Sequence, residues 1–390
     1  MRRPLFNIAL TVFLLAFLPA SLQGAQQSAK PDEPEVASEL PAQDPDAQAS
    51  EEEDEKPGFL KKMPKNLLLV PIPTSTPTFG TGLILGGAWF YSQTEEQEES
   101  QPASYTGAAA GYTSNDSWFA GVMQQNYWSE DTWRFTGVAG YLDLKLDLFL
   151  PESGEDEDSG LDWLVDGYLV QGRISRKIKG NWYLGATARY LDITQGLELG
   201  EDDDEFNLSS NISVAGVGLN LDYDSRDLPT NAYQGRFMEL KALTSHQTNA
   251  EDDSYQSYQA RIRSYHPLKD SLVLAGEVNG CARGGEIPLW DTCRLGLRGF
   301  SATSYLGKRS LYGQAEIRWR AYKRWGLVGF AGAGRIYDSF LGVGEGDTIP
   351  SYGLGIRFMV LESQRINVRV DYARSQNGDD AWYLSVAEAF

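Results

Sequence analysis

The sequence is short of histidine and cysteine, with two of each in 390 residues, and outside its first two dozen positions it has no long apolar run. His246 and His266 have no ligand spacing with Cys281 and Cys293, so a His/Cys metal centre is unsupported and neither metal nor cofactor is expected. No G-x-S-x-G elbow occurs, which leaves a serine hydrolase of that design without its nucleophile turn. Both histidines read as surface or girdle residues, so no catalytic residue and no enzyme activity are expected. Nothing approaches the roughly 18 consecutive apolar residues of a membrane-spanning helix, which excludes a helical membrane protein. Positive charge is scarce as well: 34 Lys and Arg against 54 Asp and Glu give a net charge of −20, which argues against nucleic acid as a partner.

Residues 1–24 have the layout of a secretory signal peptide, with Arg2 and Arg3, an apolar run over 8–18 and small residues around 21–25. No Cys stands nearby to carry a lipid anchor. Residues 25–65 are rich in Asp, Glu, Pro, Gln, Ala and Ser and include an unbroken acidic run at 51–55. Such a segment cannot bury enough apolar surface to offset its ordering entropy, so a disordered acidic periplasmic segment is expected. Residues 66–390 remain for the folded part.

A mean hydropathy of −0.38 looks soluble, but a membrane β-barrel alternates lipid-facing and lumen-facing residues and so has an unremarkable average. Over 351–360, Tyr352, Leu354, Ile356, Phe358 and Val360 share one face, and Ser351, Gly353, Gly355, Arg357 and Met359 the other. A period of two means strand. Over 365–373, Ile366, Val368, Val370 and Tyr372 oppose Asn367, Arg369, Asp371 and Ala373; over 311–321, Leu311, Ala315, Ile317 and Trp319 oppose Tyr312, Gln314, Glu316, Arg318 and Arg320. A soluble β-sandwich would share this periodicity. Strands of about ten residues, aromatics near their ends and the secretion signal favour an all-β transmembrane antiparallel barrel in the outer membrane of a Gram-negative bacterium.

Fifteen alternating segments can be counted between 79 and 390; a further strand near 66–73 makes an even sixteen, with fourteen as the alternative. The acidic connections at 95–99, 152–158, 201–205, 251–253, 345–347 and 379–380 contrast with short turns at 177–179, 269–270 and 323–324. Long loops face outward in such barrels, so all six acidic clusters are expected outside, facing outer-membrane lipid and lipopolysaccharide.

The connection over 283–309 contains Leu297-Arg298-Gly299-Phe300, which resembles the V/I-R-G-F/Y motif of the BamA/TamA assembly and translocation superfamily, the bacterial surface antigen family. The stretch from Asp222 to Gly235, with Asp224, Arg226, Asp227 and Pro229, is similar to the D-x-R-D-x-P-x-x-G turn of the same family, and Pro and Gly suit a turn of fixed geometry. Tyr383, Val386 and the terminal Phe390 resemble the C-terminal signal read by the outer-membrane assembly machinery, although Glu388 stands where an apolar residue is usual. The resemblance covers 207–390. It implies that the Arg298 loop folds into the lumen to meet an acid on the wall, and that the barrel assists insertion or transport of a polypeptide or lipid.

A guanidinium carried into a barrel needs a carboxylate, because an unpaired buried charge is costly. Glu316 and Asp371 face inward, and family alignment favours Glu316. Where the family has F-x-D-x-G this chain reads Phe330-Ala-Gly332-Ala-Gly334, so half of the family's acidic clamp is expected to be missing. Residues 25–65 are too few for a POTRA domain of the kind the family carries, which implies a barrel-only relative. Cys281 and Cys293, an even pair in an oxidising compartment, read as a disulfide closing the start of the loop. A passive pore lined by Arg318, Arg320, Arg357 and Arg369, a structural barrel and an outer-membrane hydrolase are the competing functions.

Overall fold

The computed structural model describes residues 66–148, 161–199, 206–249, 253–340, 342, 344–362, 365–375 and 380–390. The signal segment 1–24, the acidic segment 25–65 and the clusters at 152–158 and 201–205 lie outside them. Sixteen strands form one closed antiparallel wall: β1 (Leu67–Thr76), β2 (Gly80–Phe90), β3 (Tyr105–Thr113), β4 (Trp118–Trp128), β5 (Trp133–Leu148), β6 (Leu161–Lys179), β7 (Trp182–Leu199), β8 (Phe206–Asp224), β9 (Gly235–Gln247), β10 (Ser254–Lys269), β11 (Leu272–Gly285), β13 (Leu306–Tyr322), β14 (Trp325–Ser339), β15 (Ile349–Leu361), β16 (Ile366–Ser375) and β17 (Asp380–Val386). The two-residue β12 (Cys293–Arg294) belongs to the connection between β11 and β13, where it pairs with Gly307 and Leu306. The strand expected near 66–73 is β1, which makes the wall sixteen rather than fourteen.

Alternation settles which face is which. Leu354 is 70% exposed, Val217 66% and Leu219 62%, while Asp371 and Glu316 on the opposite face are buried. A water-soluble fold does not leave so continuous an apolar band uncovered, so the band is the lipid face. On β5–β8 the pattern reverses along each strand. Past a row of outward aromatics, Trp118 against Tyr141 at 5.3 Å and Tyr168 against Tyr190 at 6.1 Å, the outer face becomes polar. There Asn211 Nδ2 donates to Asp192 Oδ1 at 2.7 Å and Ser213 Oγ to Asp192 Oδ2 at 2.9 Å. The inner face becomes apolar at the same height, with Leu142, Leu144, Leu146, Trp163, Val165, Leu191 and Ile193 buried in one cluster with Trp290. These strands leave the bilayer at the aromatic row, so the side that had faced lipid now faces water, and apolar side chains move inside.

Connection ends follow strand parity. The described acids of the later clusters, Asp253, Glu345, Asp347 and Asp380, stand at the end with the long loops, as expected. The 95–99 cluster does not. Its connection joins β2 to β3 and lies at the short-turn end, where Gln101 Nε2 donates to the Tyr127 oxygen at 3.0 Å and Gln101 Oε1 accepts the Glu130 N–H at 3.1 Å. Sorting connections by charge misplaced it, because β1 fixes the parity. Its acids have a local cause: Glu95, Glu96 and Glu98 sit in the first turn of a short helix (Glu95–Ser100) capped by a Thr94/Gln97 box, where negative charge complements free N–H groups.

The wall has one weak joint. β1 and β2 are registered over their full lengths, but β1 and β17 share a single registered pair, Ser75 with Leu384. The Asn66 oxygen bonds the Phe90 N–H, so even-numbered residues of β1 point their main-chain groups at β2 and odd-numbered ones point at β17. Pro71 and Pro73 are odd-numbered. They remove two donors from the edge that would pair with β17. β17 then ends at Val386, and Ala387, at φ +73°, turns the chain away.

Candidate functional site

The connection between β11 and β13 folds into the lumen and is fixed at successive points. Cys281 on β11 is disulfide-bonded to Cys293, with Cα atoms 5.7 Å apart. Just before Cys293, Asp291 in a buried 3-10 turn (Leu289–Asp291) accepts from Arg189 Nη2 on β7 at 2.5 Å, from Tyr255 OH at 2.9 Å and from Arg283 Nη2 at 3.2 Å. Burial pushes the Asp291 carboxyl up, but Arg189 and Arg283 outweigh it and hold the group below the usual carboxylate range. Farther on, the Gly299 N–H donates to Tyr383 OH on β17 at 2.8 Å, and the Ala302 N–H donates to Thr78 Oγ1 beyond β1 at 2.9 Å. The loop therefore touches β17 and the turn that follows β1, one on each side of the weak joint.

Arg298 stands between these contacts. Its guanidinium pairs with Glu316 on β13 through Nη2 and with Asp371 on β16 through Nη1 at 2.9 Å, and it lies 3.4 Å from the centre of the Phe330 ring. Both carboxylates considered from the sequence meet it. They also meet the wall arginines: Arg318 reaches Glu316 at 2.8 Å, while Arg357 and Arg369 reach Asp371 at 2.5 and 3.1 Å. Arg320 is not part of this set. A register shift after Trp319 leaves it exposed at the short-turn rim.

The clamp is therefore not halved, contrary to the expectation drawn from Gly332. The second acid comes from Asp371, and Gly332 has another task. A Cβ at Gly332 would stand 2.8 Å from Leu297 Cδ2, and one at Gly334 2.8 Å from Leu295 Cδ2. The two leucines that precede Arg298 rest on the glycines of β14 and form an apolar cluster with Phe300, Tyr305 and Ile349. Gly332→Asp should thus add an acid to the lumen yet loosen the loop, by about 1–3 kcal/mol of overpacking. Limited proteolysis between 286 and 305 would show it as faster cleavage, whereas slower cleavage would mean that the acid gains more than the clash costs.

The short-turn end is also partly covered. In the 225–234 turn, Arg226 grips Asp224 through Nε and Nη2, both at 2.9 Å, and reaches the Pro229 oxygen at 3.2 Å. Asp227 Oδ1 accepts the Tyr233 and Gln234 N–H groups at 3.0 and 3.3 Å. Gly235 closes the turn at φ +100°, where a Cβ would lie 2.2 Å from the Ser225 oxygen. The turn then bridges to the β15–β16 turn: Arg365 Nη1 meets Asp227 Oδ2 at 2.5 Å and lies over the Tyr233 ring at 4.0 Å, and Asn231 Nδ2 donates to the Arg365 oxygen at 2.9 Å. This strap spans the mouth past β10, β11, β13 and β14.

Beneath the strap lies the C-terminal tail, which was expected to continue as strand to 390. The strand stops at Val386. Tyr383 faces the loop rather than lipid, Val386 is buried, and Phe390 packs against Ala232, Tyr265 and Ala275. Glu388 accepts from Arg357 Nε at 2.8 Å and Asn367 Nδ2 at 2.6 Å, and Arg318 Nη2 donates to the Phe390 oxygen at 2.8 Å. An acid at a position where an apolar residue is usual was the sequence signal that this residue points inward. Asp291 and Arg365 gave no comparable signal, since each sits in a connection with no periodicity to orient it.

No family model matches the chain, and no curated protein does. Solved structures do. BamA from Haemophilus ducreyi lacking POTRA domains 1–3 superposes with a TM-score of 0.55 at 11% identity over 83% of this chain and 70% of that one. The fold is that of the BamA and CdiB barrels. CdiB from Acinetobacter baumannii (TM-score 0.53, 12% identity, 82% of this chain and 59% of that one) and CdiB from Escherichia coli (0.51, 13%, 84% and 64%) give the same likeness. The chain spans about six-tenths of the length of the two CdiB structures.

Proposed function

We propose that this chain is an outer-membrane barrel of the assembly or translocation type, which assists insertion or transport of a polypeptide or lipid at the β1–β17 joint while its lumen stays plugged. The carrying observation is the contrast between that joint, with one registered pair, and the neighbouring seams, where β1 and β2 share ten registered pairs and β16 and β17 share seven. A passive pore fits less well, because Arg318, Arg357 and Arg369 are buried in ion pairs instead of lining open water. We propose no catalytic role. Exposed His266 bonds Ser264 Oγ at 2.9 Å, and no carboxylate among the described residues completes a triad with it.

The test locks the joint with Ser75→Cys and Leu384→Cys in a Cys281→Ser/Cys293→Ser background. Vesicles carrying the protein are given a urea-unfolded eight-stranded outer-membrane barrel, and its insertion rate is followed by heat-modifiable migration; fluorescent-lipid exchange between leaflets is followed in parallel. The unlocked protein should accelerate one of the two processes, oxidation should abolish the gain, and reductant should return it. Equal activity of locked and unlocked protein, or no acceleration of either process, would overturn the reading. Pro71→Thr with Pro73→Thr restores the two missing donors, so the joint should pair more fully and the accelerated process should slow.

A further inference from the structure

The lipid-facing wall carries an open groove at the short-turn end, between the β13–β14 turn and the end of β15. Its apolar side is Tyr322, Trp325, Phe358 and Met359, with the Trp325 and Phe358 rings 4.8 Å apart. Its polar side is Arg320, Lys323 and Arg324. Glu362 also lines it, and among the described residues Arg324 is the only one of the three cations with a carboxylate, Glu362 at 2.5 Å, which fixes it across the two turns. Arg320 meets Asp270 through that residue's main-chain oxygen at 3.2 Å, and Lys323 Nζ lies 5.3 Å from the Tyr322 ring centre. Two cations thus stand without an acid among the described residues, in a chain whose net charge is −20.

We propose that this groove binds the headgroup of an anionic glycerophospholipid. The groove sits where aromatic side chains mark the boundary between lipid and water, with Trp319, Tyr322 and Trp325 all exposed. Above it the wall continues as Leu327 and Ile356, both exposed to lipid, so a phosphate held by Arg320 and Lys323 leaves its acyl chains lying on apolar wall. Arg324 is spoken for by Glu362, which leaves two positive charges for one phosphodiester. A protein partner is a poorer fit, because the apolar half of the groove lies within the lipid band and a headgroup with tails satisfies both halves at once. The proposal does not depend on what the barrel transports.

Native mass spectrometry of the full chain, released from nanodiscs of phosphatidylcholine with a minor fraction of phosphatidylglycerol, reads the lipid retained. The wild type should keep phosphatidylglycerol in preference to phosphatidylcholine. Each cation near an anionic surface contributes about 1 kcal/mol, so Arg320→Gln with Lys323→Gln should lower that preference roughly 30-fold. Lys179→Gln with Lys269→Gln removes the same charge from other turns of the same end and should leave the preference in place. Heat-modifiable migration confirms that each variant is folded. Equal loss in both double variants would reduce the effect to diffuse electrostatics. No wild-type preference, or displacement of the lipid by millimolar inorganic phosphate, would also overturn the proposal.

Discussion

Asp371→Ala is expected to cost the barrel roughly 3–5 kcal/mol, more than any other single lumen substitution, because it takes a carboxylate from three guanidinium groups at once and strands one of them. Arg298 and Arg369 converge on its Oδ2 and Arg357 on its Oδ1. Two of the three have a fallback. Arg298 keeps Glu316, and Arg357 keeps Glu388 at 2.8 Å, but Arg369 has no other carboxylate among the described residues. In the buried set, four guanidinium groups (Arg298, Arg318, Arg357, Arg369) face three carboxylates (Glu316, Asp371, Glu388), so the loss of one acid leaves four against two. Asp371→Asn keeps the shape and removes the charge, and should recover little. Urea unfolding in detergent micelles, read by heat-modifiable migration, gives the number. A loss no larger than that of Asp338→Ala, whose partner Arg309 is on the exposed surface, would show that the lumen network is hydrated and weakly coupled.

The barrel was legible because period-two alternation is a local property that survives without any long-range information. Leu354, Ile356 and Val370 on one face and Arg357, Arg369 and Asp371 on the other could be assigned from neighbours two positions away, and the assignments hold in the wall. Features that depend on distant partners were not legible in the same way. That Asp371 meets Arg298 depends on how far the loop reaches across the lumen, and nothing between residues 283 and 309 encodes a reach. Gly332 was read as a missing acid when it is a seat for Leu297, because a sequence shows what a glycine lacks and not what fills the space. Pro71 and Pro73 are an intermediate case. Two prolines at i and i+2 strip the same edge of a strand, but the edge acquires meaning only once β17 is known to lie along it.

Removing residues 286–305, with a short Gly-Ser link from Gly285 to Leu306 and Cys281→Ser, should convert a closed barrel into one with discrete channel openings in planar bilayers. The loop fills the space between Arg189 on β7 and Tyr383 on β17, so no wall side chain can replace it. Arg298→Ala should give an intermediate result. It leaves Asp291 bound to Arg189 and the disulfide intact, and it orphans no carboxylate, since Glu316 retains Arg318 and Asp371 retains Arg357 and Arg369. Glu316→Ala leaves Arg298 with Asp371 and leaves Arg318 its existing bond to the Phe390 oxygen, so it too should loosen the loop without releasing it. Because the two side chains are in contact, their effects should be non-additive by about 0.5–3 kcal/mol in a double-mutant cycle, with the double variant no worse than the poorer single one. Full additivity would mean that Arg298 does not hold the loop through Glu316. If the deletion were as silent as the wild type, the strap between Asp227 and Arg365, with Phe390 beneath it, would be closing the lumen from the other end, and Arg365→Ala in the deletion background should then open it.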